Sequence, residues 1–542
     1  MTRRLVYGAL VVAVLLATLW VAIELVGYPT PPPRPIAWQG SGFRLERGRQ
    51  HLLHLAGDPY ALGLHNARLF PELMHRQEES LVDALFAFAR GPARAMLIRH
   101  TGLAYLAGLD RYLTLPEREE ILGLADGAPD GFPELGPRYA RLASYHALHE
   151  LSQRFAFDNP LFACTLVAVG SPMGVDGHAF LARNFDFEGG DVFDIDKVVL
   201  AVQPVQGHGF VSIAWAGMAG VVSGMNDRGL AITINAGASS DYNRVGAPTT
   251  LLVRRALEQA ETVDGAVAVF TSAPRFVTDI IGLADRSGRV AVLELTPNHY
   301  ALRDGTLLAA TNHLEAPALV NDRTNLERQT QTTTVPRRQR LAALLQSRST
   351  PLGPEDLLAI LRDKRAADGS LLPPGHRHAL DAFIATHSLI FDATAGLVWV
   401  SEGPQAAGPY HGYDVAELVA AHNADEARAA FRPSLPPDPD GSPATLLPRG
   451  RASWHAARHA LDIRDLAGAE RNLAEVPDIL GGHPTTLILE GDLALAEGDS
   501  NRAVTLWRRA LAVPPEYERE SQALRAKIDR ATANPAPTAQ TN

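Results

Sequence analysis

Cys164 is the only thiol in 542 residues. Its neighbourhood, Pro160-Leu-Phe-Ala163-Cys164-Thr165-Leu-Val-Ala-Val169, is apolar and β-prone. Such a cysteine can be a nucleophile, or it can be a small buried hydrophobe at a strand start, since free cysteine is among the most buried residue types. Arg183-Asn-Phe-Asp186 follows after an apparent strand, turn and strand (Thr165–Val169, Asp176-Gly177, His178–Ala182). A hairpin of that kind folds Arg183 and Asp186 back beside Cys164. There an arginine would favour thiolate. Two asparagines end later strands: Asn235, after the turn at Asn226-Asp-Arg-Gly229, and Asn312 in Thr311-Asn-His313. Each feature also has an ordinary structural use, as a surface ion pair, a turn or an Asx-turn.

The elements that must position these residues read as α+β. Between Leu161 and Asn312 short β-type runs recur, including Lys197–Pro204, Gly209–Trp215, Leu230–Asn235, Arg275–Ala284, Val290–Leu295 and Thr306–Ala310. Asp285-Arg-Ser-Gly288 and Asp304-Gly305 are hairpin turns, and two helices, Pro248–Gln259 and Thr262–Phe270, interrupt the strands. Strands joined by tight turns, with helices in separate blocks, predict antiparallel sheets. Ahead of them the chain is mainly helical from Arg44 to Asn159, with a strand at Gln50–Leu55 and an Asp58-Pro59 helix start. Behind them come helices at Arg337–Gln346 and Pro354–Lys364, then a hairpin of His387–Phe391 and Leu397–Val400.

Composition narrows the function classes. The net charge of −10 argues against a nucleic-acid binder. One cysteine excludes an intramolecular disulfide and a cysteine-based zinc or iron–sulfur site. The acidic run Asp186, Glu188, Asp191, Asp194, Asp196 lacks the spacing of an EF-hand and reads as solvated charge. His51/His54 and His146/His149 read as surface histidines. A papain-like site would need a histidine base for Cys164, and none has a matching context. No cofactor or metal is expected.

The ends suggest attachments. Arg3 and Arg4 precede an uncharged apolar run, Leu5–Ile23, long enough to span a bilayer as a helix. By the positive-inside rule the N-terminus would be cytoplasmic and the bulk periplasmic or extracellular, in a single-pass membrane protein. The expected organisation is a cytoplasmic tip and anchor over residues 1–27 and a Pro-rich linker over 28–43. A helical N-terminal chain (44–163), a catalytic part (164–430) and a linker (431–450) follow. A helical, loosely repetitive domain (451–531) weakly similar to tetratricopeptide hairpins precedes a disordered tail (532–542).

The stretch from Leu45 to Pro404 resembles N-terminal-nucleophile hydrolases of the acyl-CoA:6-aminopenicillanate (isopenicillin-N) acyltransferase group, with acid ceramidase and the choloylglycine hydrolases as more distant relatives. The resemblance is carried in order by Leu55-Ala-Gly-Asp-Pro-Tyr-Ala-Leu-Gly63, Glu120-Ile-Leu-Gly-Leu-Ala-Asp-Gly127 and Cys164-Thr165. It continues through Arg183-Asn-Phe-Asp186, Asn226–Asn235, Thr311-Asn-His313 and His387-Ser-Leu-Ile-Phe-Asp392 with Trp399-Val-Ser-Glu-Gly403.

The resemblance implies a four-layer αββα sandwich and a self-cleaving thiol enzyme. The chain would cut itself between Ala163 and Cys164, giving Cys164 a free α-amine. That amine, titrating near 7.7–8.0 beside a thiol near 8.5, is a matched base for it. By the same resemblance Arg183 would favour thiolate, Asp186 would fix the amine, and Asn312 (side-chain amide) and Asn235 (backbone N–H) would bind the oxyanion. A second arginine would be Arg337 or Arg338, with Arg323 also open. The implied activity is amide hydrolysis or acyl transfer through an acyl-Cys164 thioester, hydrolysis favoured, on a small-molecule amide. The alternative is a catalytically inactive, membrane-tethered scaffold whose residues 451–531 bind a partner protein.

Overall fold

The β-prone runs assemble into two sheets. The computed structural model of the chain describes residues 14–15, 17–22, 28–88, 100, 102, 105–155, 162–346, 348 and 350–533. One sheet has nine strands, in the order β1 (Gly40–Arg47), β2 (Gln50–Gly57), β5 (Val198–Pro204), β6 (Phe210–Ala214), β7 (Ser223–Asn226), β8 (Ala231–Ala236), β9 (Asp279–Ala284), β10 (Val290–Leu295) and β11 (Tyr300–Asp304). The other has seven: β12 (Leu307–Ala310), β3 (Phe162–Val169), β4 (Phe180–Phe187), β13 (Ala385–Asp392), β14 (Leu397–Ser401), β15 (Tyr410–Asp414) and β16 (Phe431–Leu435).

Alternation along each strand sorts side chains to two faces. On β3, Leu166 and Ala168 enter the core between the sheets, where they meet Leu52, Val199, Val211, Ile280 and Val292. Val167 and Val169 face the other way, onto Leu341, Leu357 and Leu361 of the helices Thr334–Gln346 and Pro354–Leu361. The far face of the nine-stranded sheet is covered by Leu62, Ile121, Leu252 and Phe270, from the helices Pro59–Leu69, Leu115–Gly127, Thr249–Gln259 and Val263–Ser272. The layers therefore run helix, sheet, sheet, helix.

The sheets are not wholly antiparallel. β2 and β5 run parallel, from His51↔Val198 to Gly57↔Pro204. Everything between them, including the N-terminal helices and the β3–β4 hairpin, forms one long crossover, which a parallel pair requires.

The expected membrane anchor is corrected. Among the described residues no helix is long and apolar enough to cross a membrane. Of the Leu5–Ile23 run, residues 14–15 and 17–22 are described, as exposed helix, and the rest lies outside the described residues. The single-pass localisation, with its periplasmic or extracellular bulk, falls with the anchor.

Two sequence segments that carried the resemblance meet face to face. Asp58 caps the Pro59–Leu69 helix by accepting the Ala61 N–H. That helix crosses Leu115–Gly127 so closely that a Cβ on Gly63 would lie 1.9 Å from the Glu120 carbonyl oxygen, and one on Gly123 would lie 2.2 Å from that of Tyr60. Glycine is required there for backbone contact.

At the C-terminal end, β16 and the start of the helix Ser442–Asp462 fall inside the stretch expected as a linker. The helices Pro484–Ala496, Ser500–Leu511 and Glu518–Ala533 share a core around Leu487, Ala503, Trp507 and Leu524. They dock onto the segment before β13. Phe383 packs with Leu447, Trp454 and Leu480, His376 Nε2 bonds Pro514 O at 2.9 Å, and the Arg377 N–H donates to Glu516 Oε1 at 2.8 Å.

Replacing Gly63 by alanine is expected to part the two crossing helices, destabilising the chain by about 1–3 kcal/mol. Calorimetry would read this as a lowered Tm, and an unchanged Tm would show that the crossing tolerates a methyl group.

Candidate active site

Cys164 lies near the start of β3, buried, opposite Phe185 of β4, and Leu166 further along the strand pairs with Arg183. Alternation puts the Cys164 and Arg183 side chains on one face. Arg183 Nη2 lies 3.2 Å from Cys164 Sγ. The guanidinium then reaches the facing sheet. Nη1 donates to Val222 O at 2.6 Å and to Ser223 Oγ at 2.7 Å, and Nη2 also donates to Ile234 O. Phe185 stacks under it, with Arg183 Cζ 4.5 Å from the ring centroid. Burial lowers the pKa of Arg183. Burial raises that of the Cys164 thiol, opposed by Arg183, by the Asp186 backbone N–H and by Arg337, and reinforced by the Asp186 carboxylate.

Asp186 pairs with Ala163 across the β3–β4 ladder, on the opposite face from the thiol. Neither carboxylate oxygen has a hydrogen-bond partner among the described residues. Burial lifts its pKa to about 7, against the pull of Arg337, Arg183 and Arg377, while Asp381 adds to the rise.

Asn312 follows β12 and meets the nucleophile through its oxygen. Oδ1 accepts the Cys164 N–H at 2.8 Å and Arg337 Nη2 at 2.7 Å. Its Nδ2 donates to Ala236 O at 2.9 Å. In the unbroken chain the amide expected to face an oxyanion is thus turned the other way. Asn235, in β8, donates Nδ2 to Thr311 O at 2.9 Å, and its Oδ1 is buried without a partner among the described residues.

Of the three arginines left open, one enters the site. Arg337 Nη1 donates to Cys164 O at 2.5 Å and to Thr165 Oγ1 at 3.3 Å. Arg338, one residue on, pairs instead with Glu315 at 2.9 Å. Arg323 is exposed and pairs with Glu327 at 2.9 Å.

Three neighbours had no chemical role assigned from sequence. Ser223 Oγ bonds His387 Nε2 at 3.0 Å. Arg328 is buried close to Arg337 and Cys164, and burial pushes its pKa down to about 10, helped by Arg337. Serine and histidine within strands, and arginine within a helix, look ordinary until the layers pack.

Two expectations about charged groups are corrected. His54, His146 and His149 are buried rather than on the surface, and His149 Nε2 sits 2.7 Å from Asp279 Oδ1. Within the acidic run, Asp186, Asp194 and Asp196 are buried, and Asp194 holds Lys197 at 2.6 Å. Partners in other elements take up most of these groups, and a local reading could not see them.

A cavity of about 120 Å³ adjoins the nucleophile strand, with walls that include Leu81, Phe162, Phe185, Phe187, Trp215 and Met218. Phe162 precedes Cys164 by two residues and Phe185 faces it across the ladder.

Residues 173–403 match the family model of acyl-coenzyme A:6-aminopenicillanic acid acyl-transferase. This bears out the resemblance read from the sequence, over a segment that holds Arg183, Asp186, Asn235, Asn312 and Arg337 and begins just after Cys164. An uncharacterized protein of Archaeoglobus fulgidus is 25% identical over 293 residues, 51% of this chain and 49% of that one, so the chain matches about half the length of this relative. Among solved structures, the Caenorhabditis elegans ortholog of N-acylethanolamine-hydrolyzing acid amidase is 15% identical at a TM-score of 0.32, covering 43% of this chain and 93% of its own. A mutant conjugated bile acid hydrolase from Clostridium perfringens is 12% identical at 0.31, covering 46% and 92%. Penicillin V acylase from Agrobacterium tumefaciens is 14% identical at 0.29, covering 51% and 98%. TM-scores this low carry no weight for function.

The Asp186 shift has a signed consequence. Its folded-state pKa is raised from 3.8 to about 7, so the folded chain binds the proton more tightly and loses stability as pH rises between about 4 and 7. In a Cys164→Ala background, Asp186→Asn is expected to raise Tm more at about pH 8 than at about pH 4. An equal change at both pH values would show that the ionised carboxylate carries no such penalty.

Proposed function

We propose that this protein is a self-processing thiol amidohydrolase of the acyltransferase family that its central segment matches. The observation that carries the reading is the Arg183–Cys164 contact at 3.2 Å: a buried cation, hydrogen-bonded to neutral acceptors and, among the described residues, to no carboxylate, set against the only thiol.

In the first step Cys164 Sγ attacks the Ala163 carbonyl carbon. The thiol proton passes to the Cys164 nitrogen as the C–N bond breaks, leaving the Ala163 acyl group on sulfur and a free α-amine on Cys164. Water then adds to the thioester, releasing the Ala163 carboxylate and the thiol. Asn312 Oδ1, which accepts the Cys164 N–H in the unbroken chain, suits the same nitrogen as an amine. Asp186, beside Ala163 and without a hydrogen-bond partner among the described residues, gains the amine as a donor, and a cation once that amine takes a proton.

On a substrate amide the α-amine takes the thiol proton and the thiolate adds to the carbonyl. The leaving amine collects that proton, and water clears the acyl-Cys164 thioester. The Asn235 backbone N–H is the proposed oxyanion donor, with Asn312 joining it if its amide turns from Ala236. Loss of one such donor typically costs about 10²–10³ in turnover. The aromatic cavity beside Phe162 and Phe185 suits an apolar acyl group. Hydrolysis is favoured over transfer on chemical grounds, because processing itself ends in thioester hydrolysis. A site that completes processing already admits water to an acyl-sulfur bond.

Intact-mass analysis of the purified protein tests this. Two associated chains are expected, the second beginning at Cys164, while Cys164→Ala stays single. A wild-type chain that stays whole and fails to alkylate at Cys164 would favour the inactive scaffold.

A further inference from the structure

The polar chain behind Cys164 does not stop at Arg183. Arginine has only donors, so Ser223 Oγ, 2.7 Å from Arg183 Nη1, accepts. The hydroxyl hydrogen then needs an acceptor, and its other partner is His387 Nε2 at 3.0 Å. We propose that His387 is a positioning residue for the thiol: a neutral imidazole that accepts the Ser223 hydroxyl at Nε2, keeps Ser223 Oγ turned to Arg183, and so aims the guanidinium at Cys164 Sγ.

Counting buried polar atoms favours this state. With the proton on Nδ1, the one unmatched group is Nδ1–H, which has no partner among the described residues. With the proton on Nε2, both the Ser223 hydrogen and the Nδ1 lone pair are unmatched. A doubly protonated ring is worse placed still. Phe185 of β4 stacks on it at 5.0 Å and 11°, and Trp215 leans on it at 5.9 Å. Burial pushes its pKa well down, and the charged groups acting on it, Arg183 from β4 and Lys197 ahead of β5, are cations that push the same way.

The role follows from geometry. Arg183 is gripped by Val222 O and Ser223 Oγ on one nitrogen, and by Ile234 O and Cys164 Sγ on the other. Val222 O and Ile234 O are backbone, Ile234 within β8 and Val222 just ahead of β7, where its carbonyl also accepts the Ile234 N–H at 3.1 Å. Of the acceptors other than the thiol, Ser223 Oγ alone can rotate, and His387 is what stops it. The charged groups acting on the thiol besides Arg183 are Asp186, Arg337 and Arg328, and among the described residues none of them hydrogen-bonds to His387. A change of the acceptor at residue 387 therefore reaches sulfur through Ser223 and Arg183, while the other link, Phe185 stacked on the ring and opposite Cys164, is kept by a variant that keeps an aromatic ring.

That the thiol is the nucleophile rests on the proposed function, whereas the state of the ring does not, and the two are measured separately. In the full chain labelled with ¹⁵N-histidine, the His387 signal, identified by its loss in His387→Gln, is expected to show the neutral Nδ1–H tautomer from about pH 5 to about pH 9. Titration near the ordinary histidine value of about 6.5, or an Nε2–H signal, overturns the proposal. On the processed protein, the pH profile of Cys164 alkylation by iodoacetamide reads the aim of Arg183. His387→Phe keeps the stacked ring without the acceptor and is expected to move the midpoint up by about one unit, or about tenfold in rate below it. His387→Gln, with an amide oxygen where Nε2 stands, is expected to stay near wild type. Equal behaviour of the two variants, or an unmoved His387→Phe, overturns the proposal. If the wild type is neither processed nor alkylated, the proposed function fails, and the tautomer measurement still decides the role of His387.

Discussion

The centre of this molecule depends on one buried guanidinium that, among the described residues, bonds to no carboxylate. An unpaired charge away from water is costly unless its donors are matched, and Arg183 spends both terminal nitrogens on neutral acceptors and a thiol, while its Nε has no partner among the described residues. Those acceptors belong to β7, the loop before it, and β8, while the arginine and cysteine belong to β4 and β3. The two sheets must therefore stack at one separation and one offset. The interdigitated Leu, Val and Ile side chains between them set that separation, and a shift of either sheet would strand the charge.

The opposite face of β3 repeats the arrangement. Arg337, from the helix that covers the seven-stranded sheet, takes the Cys164 carbonyl and the Asn312 side-chain oxygen. Cys164 is thus flanked by a cation on each face of its strand. The thiol and Asp186 are the groups that could supply negative charge, and burial raises the pKa of both. In the unbroken chain the site holds its positive charge in place ahead of the anion it would stabilise. Such pre-set dipoles and charges need no reorganisation when a negative charge develops.

How much of this could be read in the sequence depended on distance along the chain. The Cys164–Arg183 contact follows from one hairpin and its period of two. Asp186 followed from the same hairpin, although its face did not, because alternation puts it behind the strand rather than beside the sulfur. Arg337 could not be told from Arg338 because the choice is a matter of helix phase against β3, and that phase is set by Leu341 and Leu345 packing on the strand's outer face. Ser223 and His387 come from strands of different sheets and meet only when the sheets stack. The parallel β2–β5 pair was hidden for a similar reason, since its partners are separated by the whole helical block. The apolar N-terminal run shows the converse limit: composition alone favoured a spanning helix that the described residues do not form.

The end of strand β4 shows how local partners decide ionisation within one polypeptide segment. Asp186 and Glu188 stand two residues apart, the first fully buried and the second partly so. Asp186 has guanidinium charges near it but no hydrogen bond to its carboxylate, and burial carries its pKa to about 7. For Glu188 burial pushes the same way, yet its pKa ends below the ordinary value, because Arg377 and Arg451 more than offset it. Arg377 bonds one carboxylate oxygen and Arg451 Nη2 lies 3.1 Å from the other. Arg451 comes from the C-terminal helices, and the Arg377 backbone donates to Glu516, between the helices Ser500–Leu511 and Glu518–Ala533. The C-terminal domain therefore does more than pack against the sandwich. It supplies a fixed charge at the end of the strand that carries Arg183 and Asp186, and it does so through direct bonds of the kind that Asp186 lacks. Cations in direct contact, acting first through their charge and then through hydrogen bonds, separate the carboxylate held below its ordinary pKa from the one lifted to about 7.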